Sequence, residues 1–162
     1  MRYFIGNWKM FGVPKSVSIL NKINSYYSKV KNRNKFRVII TPPYTLIESY
    51  TKYFKNKKIL IGAQNCYQKE QFSSNTAAIS PYMLKSVGAK YTLVGHSDNR
   101  GEGDTEEMLK DKVRYALKNN LKVVFCIGEN KVEKKNSIKI ILLLLTNLFG
   151  LLELEKFQQR LN

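Results

Sequence analysis

The sequence predicts an α/β fold of about five parallel strand–helix units. Two observations carry this. Short apolar runs rich in β-branched residues recur about thirty residues apart, at 3–6, 37–41, 59–63, 91–94 and 122–127, with helical patterns or helix start signals between them. That alternation is the signature of parallel βαβ units with right-handed crossovers. No glycine-rich phosphate loop follows the first run, which argues against a dinucleotide-binding sheet. An open doubly wound sheet and part of a (β/α) barrel both fit the pattern.

The first strand, 3–6, runs into Asn7, Trp8 and Lys9, so an amide and an ammonium arrive together at its carboxyl end. A helix over 16–30 follows, with Val17, Leu20, Ile23, Tyr27 and Val30 spaced to make one buried face. Pro14 and Ser16 supply its start signals, and Lys29 and Lys31 suit its end. The second strand, 37–41, is stopped by Pro42 and Pro43, and a helix over 45–54 comes next. The third strand, 59–63, ends at Gln64 and Asn65. A polar loop over 66–78 leads to Ser80, which caps a helix with Pro81 at its first position, and Gly88 closes that helix. The fourth strand, 91–94, passes through Gly95 into His96, the one histidine of 162 residues, and a polar turn of Ser97, Asp98 and Asn99. A helix beginning at Asp104 or Thr105 carries Met108, Leu109, Val113, Tyr115, Ala116 and Leu117, and the fifth strand, 122–127, leads to Gly128 and Glu129.

Twenty-eight Lys and Arg against 12 Asp and Glu give a formal charge of +16, which favours anionic partners without choosing among them. The lysines are scattered through every segment, so they read as solvated faces and not as a nucleic-acid surface. Two cysteines and one histidine make neither a disulfide framework nor a metal site, and a reducing cytoplasm suits them. The N-terminal apolar run is too short for a signal peptide and the run at 140–145 too short for a membrane span, so a soluble protein is expected.

Four motifs go beyond periodicity: GNWKM at 6–10, GAQNCY at 62–67, VGHS at 94–97 and CIGE at 126–129. In this order, at the carboxyl ends of the first, third, fourth and fifth strands, they resemble triose-phosphate isomerase, over about residues 1–136. The resemblance implies an incomplete (β/α)₈ TIM barrel and a cofactor-free interconversion of dihydroxyacetone phosphate and glyceraldehyde 3-phosphate through an enediolate. It implies Lys9 as the ammonium that attracts phosphate and oxyanion, Asn7 beside it in substrate binding, and His96 as the neutral electrophile. The resemblance further implies that this imidazole is held neutral by a helix N-terminus, opposite a glutamate base. The resemblance also implies a homodimer, with the loop around Thr76 reaching into the neighbouring subunit, a cytoplasmic location, and a place in glycolysis and gluconeogenesis.

The motifs depart from the family pattern in places. His-Ser-Glu-Arg-Arg stands here as His96, Ser97, Asp98, Asn99 and Arg100, so the carboxylate supporting the site, Asp98, is one methylene shorter and one arginine is absent. Thr-Gly-Glu in the intersubunit loop stands as Thr76, Ala77 and Ala78. Nothing resembles the Tyr-Glu-Pro-Val-Trp-Ala-Ile-Gly segment that carries the catalytic base and lid, so no base is identified. Residues 1–136 read as a partial barrel domain and 137–162 as a divergent tail, expected to form a hydrophobic C-terminal helix. A shifted reading frame of the missing sequence fits that tail equally well. The first and fifth strands are expected to have unpaired edges, and the isolated chain is expected to be inactive. A fragment completed by a second chain and a basic anion-binding or nucleic-acid-binding module are the alternatives.

Overall fold

A computed structural model of the chain describes residues 1–54 and 58–127 and the backbone of 141–145. Six strands form one sheet in chain order: β1 (Arg2–Asn7), β2 (Phe36–Thr41), β3 (Ile59–Ala63), β4 (Tyr91–Val94), β5 (Lys122–Ile127) and β6 (Ile141–Leu145). Strands β1 to β5 are parallel neighbours, as the alternation predicts. Their carboxyl ends therefore lie along one margin, and Asn7 stands level with Thr41.

Five helices connect them: α1 (Val17–Lys29), α2 (Tyr44–Tyr53), α3 (Pro81–Ser86), α4 (Ser97–Gly101) and α5 (Glu106–Lys118). The apolar stripe of α1 buries Leu20 and Tyr27 and packs Val17 and Ile23 against the core. Ser80 caps α3 by accepting the Met83 N–H at 3.3 Å, with Pro81 in the first turn. Thr105 caps α5 by accepting the Met108 N–H at 3.2 Å, and Glu106 and Glu107 lie where the helix dipole favours them. The polar turn expected after His96 contains the single-turn helix α4. Five residues are too few for a periodic pattern to announce it.

Alternate strand residues serve two cores. The larger joins Ile40, Ile61, Val123 and Phe125 to helix residues such as Leu20, Leu46, Leu84 and Leu109. The smaller, on the opposite face, is made by Ile39, Tyr91, Leu93 and Val124 from the strands themselves. All four residues of β4 are buried.

The tail differs from its expectation. Ile141–Leu145 is a strand and not part of a helix, and it runs antiparallel to β5 with Phe125 level with Leu143. Leucine favours helices, but an unbroken apolar run of five residues fits a strand buried on both faces equally well. The open edge of β5 supplies the unpaired backbone groups that select the strand. The edge of β5, expected bare, is thus covered. The rest of the expected tail helix lies outside the described residues. Strand β1 pairs only with β2 among the described residues, and its first three residues are exposed, Phe4 by 58%. No helix among the described residues is long and apolar enough to cross a membrane.

Candidate active site

At the end of β1 the Asn7 side chain folds back, its Oδ1 accepting the Lys9 N–H at 2.9 Å. The turn places Lys9 at φ +50°, a left-handed conformation uncommon for a residue with a side chain. Gln64, just past β3, ties this turn down. Its Nε2 donates to the Lys9 carbonyl at 2.7 Å and to the Thr41 carbonyl at 3.0 Å, joining the ends of the first three strands.

From that turn the Lys9 ammonium reaches Asp98 Oδ2 at 3.1 Å, across 89 residues of sequence. Asp98 sits in α4, directly after the end of β4, and both partners are half exposed, at 55% each. His96 is the N-cap of α4 and is much less accessible, with its side chain 11% exposed. Its Nδ1 accepts the Asp98 backbone N–H at 3.1 Å, and the Asp98 carboxylate oxygen lies 3.5 Å from the same nitrogen. An imidazole nitrogen that accepts a hydrogen bond carries no proton, so the neutral ring holds its proton on Nε2. That tautomer can donate a hydrogen bond to a carbonyl oxygen.

These groups share a cleft of about 520 Å³, lined by Asn7, Lys9, Tyr44, Gln64, His96 and Asp98 among others. A fixed imidazole donor and an ammonium held by a carboxylate suit a carbonyl compound that also carries negative charge. The structure thus brings together Asn7, Lys9, His96 and Asp98, all four named from the sequence. The shorter aspartate still spans to the ammonium. Thr76 is not among the residues lining the cleft; it lies in the loop exposed from Gln71 to Ala77, next to Ala77 at φ +64°. Glu129 lies outside the described residues.

Sequence reasoning missed three supports. In the sequence Gln64 is only a strand-end residue, although a polar side chain at that margin is the same signal that singles out His96. Lys112 is buried beneath the cleft, its ammonium on both carboxylate oxygens of Asp104 at 2.6 and 2.7 Å and on Asn65 Oδ1 at 3.2 Å. A lysine three residues from Leu109 and one from Val113, on the apolar face of α5, was its only trace. Arg100 shows in the sequence only as the surviving arginine of its motif. Beside the buried pair, burial pushes the Cys66 thiol up to about 12, and the thiol of Cys126, also buried, is pushed up to about 11. Neither cysteine is a nucleophile near neutral pH.

The family model described as triosephosphate isomerase matches residues 2–159, running past the stretch of 1–136 in which the motifs fall. The triosephosphate isomerase of Wolbachia pipientis wMel is 37% identical over 133 residues, which are 82% of this chain and 51% of the relative. That of Cytophaga hutchinsonii is 39% identical over 142 residues, 83% of this chain and 53% of the relative. Among solved structures, triosephosphate isomerase from Bartonella henselae superposes with a TM-score of 0.73 at 31% identity, covering 80% of this chain and 52% of that one. The likeness identifies the five parallel units as a partial barrel. The chain spans about half the length of the relatives it matches.

Proposed function

The chain belongs to the triosephosphate isomerase family, and from that premise we propose that it carries the electrophile-bearing half of a site interconverting dihydroxyacetone phosphate and glyceraldehyde 3-phosphate. The observation that supports this most is the convergence of Lys9, Asp98 and His96 in one cleft at the strand carboxyl ends. His96 donates from Nε2 to the substrate carbonyl oxygen. As a base removes the proton from the adjacent carbon, the C–H electron pair forms the new C=C bond and negative charge grows on that oxygen. The Lys9 ammonium stabilises this charge and attracts the phosphate, and Asp98 keeps the ammonium in place between turnovers. Asn7 sets the backbone from which Lys9 reaches. No cofactor takes part.

The base itself comes from outside these 162 residues. General bases contribute factors of about 10² to 10⁴, so these residues alone bind and polarise more than they turn over. In this reading the Thr76 loop meets a second subunit, and the protein works in the cytoplasm, in glycolysis and gluconeogenesis.

The test is a titration of the chain with dihydroxyacetone phosphate, followed through the ring nitrogens of its single histidine by NMR. The expected result is a saturable shift of the His96 signals at millimolar ligand that weakens in Lys9→Ala. Signals indifferent to the ligand, or a response untouched by Lys9→Ala, would overturn the reading.

A further inference from the structure

We infer that Arg100 is a positioning residue for His96, locking the imidazole in the tautomer that can donate from Nε2. Arg100 bonds the peptide groups on both sides of His96. Its side-chain Nε donates to the Gly95 carbonyl at 2.8 Å, which fixes the peptide plane entering His96. Its backbone N–H donates to the His96 carbonyl at 3.0 Å, which fixes the plane leaving it. With both planes held, the backbone angles of His96, φ −58° and ψ 145°, are held as well. Those angles bring Nδ1 within reach of the Asp98 N–H.

The guanidinium is itself anchored. Nη2 donates to the Cys126 carbonyl at 3.2 Å, and its central carbon stands 5.6 Å from the centre of the Phe125 ring. Both residues belong to β5, whose far edge is paired with β6. The anchor therefore refers the histidine to the interior of the sheet and not to its own loop. The two bonds leave from different nitrogens of one rigid guanidinium, a geometry that the single nitrogen of a lysine does not reproduce.

Gly95 is matched to the same job. It lies at φ +76°, and a Cβ there would fall 2.8 Å from Arg100 Nη2. A side chain at 95 would push the guanidinium off the carbonyl it holds.

The inference concerns the group that the isomerase reading uses as electrophile and rests on that reading for its consequence, but its test is spectroscopic and needs no substrate. Either can fail without the other. Nitrogen-15 NMR of the sole histidine reports the tautomer ratio directly in the wild-type chain, Arg100→Gln and Arg100→Lys, each checked for folding by its thermal midpoint. We expect Nε2–H to predominate about tenfold in the wild type, from the one hydrogen bond at Nδ1. In both variants the preference drops roughly threefold or more, as the orientation of the ring is released. Should Arg100→Gln fail to fold, Arg100→Lys carries the same comparison, since its stem and charge remain over Phe125. A lowered thermal midpoint with an unchanged tautomer ratio would make Arg100 merely structural and overturn the inference. So would equal populations of the two tautomers in the wild type.

Discussion

Two lysine–aspartate pairs lie at the carboxyl margin of this sheet, and burial gives them opposite roles. Lys112 and Asp104 meet at 2.6 Å with side chains only 4% and 10% exposed, while Lys9 and Asp98 meet at 3.1 Å with both half in water. A buried pair cannot be parted without stranding a charge in a medium that solvates it poorly. An exposed pair exchanges partners at little cost, because water replaces either one. The first therefore holds β3 and α5 together through Asn65 and the second leaves an ammonium ready for a ligand. The backbone shows the same contrast. The turn carrying Lys9 follows a strand that pairs on one side only among the described residues and whose first half is exposed, whereas His96 follows a strand buried throughout.

The sharpest way to break this contrast is to remove one partner of the buried pair. Asp104→Ala should destabilise the chain by about 3–5 kcal/mol, and adding Lys112→Met should restore most of the loss. Urea denaturation measures both, and a loss in the single variant no larger than that of an exposed pair would show that the interior tolerates the lone ammonium.

The thiol next to that pair extends the contrast to pH. In the folded chain burial pushes the Cys66 thiol up to about 12 from an ordinary value of 9.0. Its folded pKa is raised, so its share of stability is fully present below pH 9 and is lost as pH rises from about 9 towards 12. The slope is about 1.4 kcal/mol per pH unit for the one proton. Cys66→Ala should flatten the alkaline fall in the urea midpoint over that range, and an unchanged slope would contradict the buried thiol.

Ala77 and Lys9 are both left-handed, at φ +64° and +50°. Only Lys9 has a side chain the cleft needs. Ala77→Gly should therefore stabilise the chain by about 1 kcal/mol, since glycine adopts this conformation without strain, and should leave the His96 signals where they are. A loss of stability there would mean that the loop depends on the methyl group.

The smallest effect belongs to the exposed pair. Asp98→Asn should change stability by less than about 1 kcal/mol while altering the response of His96 to dihydroxyacetone phosphate. A change of several kcal/mol would make this pair structural and erase the distinction.

Asn7, Lys9, His96 and Asp98 are legible because each lies at or just past a strand's carboxyl end, where a short apolar run gives way to polar residues. Lys9 and His96 needed only that signal and the motifs around them. The residues that hold them in place were not legible in the same way. Arg100 acts through carbonyls of Gly95 and Cys126, and no pattern of side chains marks which carbonyl an arginine will meet. Lys112 has the composition of a surface residue and is betrayed only by its place on the apolar face of α5. The strand at Ile141–Leu145 reads locally as helix because leucine favours one, while the open edge of β5 that decides the matter lies elsewhere in the chain. Local propensity yields to a tertiary partner when a run is too short to have a period of its own.

The most direct test of the central claim is an assay of glyceraldehyde 3-phosphate isomerisation by the chain. It is run alone and mixed with the complementary C-terminal half of the Wolbachia relative, against a Lys9→Ala, His96→Gln double variant. The account predicts that the chain alone stays at the level of the double variant. It predicts that the mixture gains activity, and that this gain falls by about a hundredfold or more when Lys9 and His96 are replaced. Activity of the chain alone that vanishes in the double variant would place a base within these 162 residues, and activity of the mixture that survives the replacements would remove the cleft from the chemistry; either result contradicts the account.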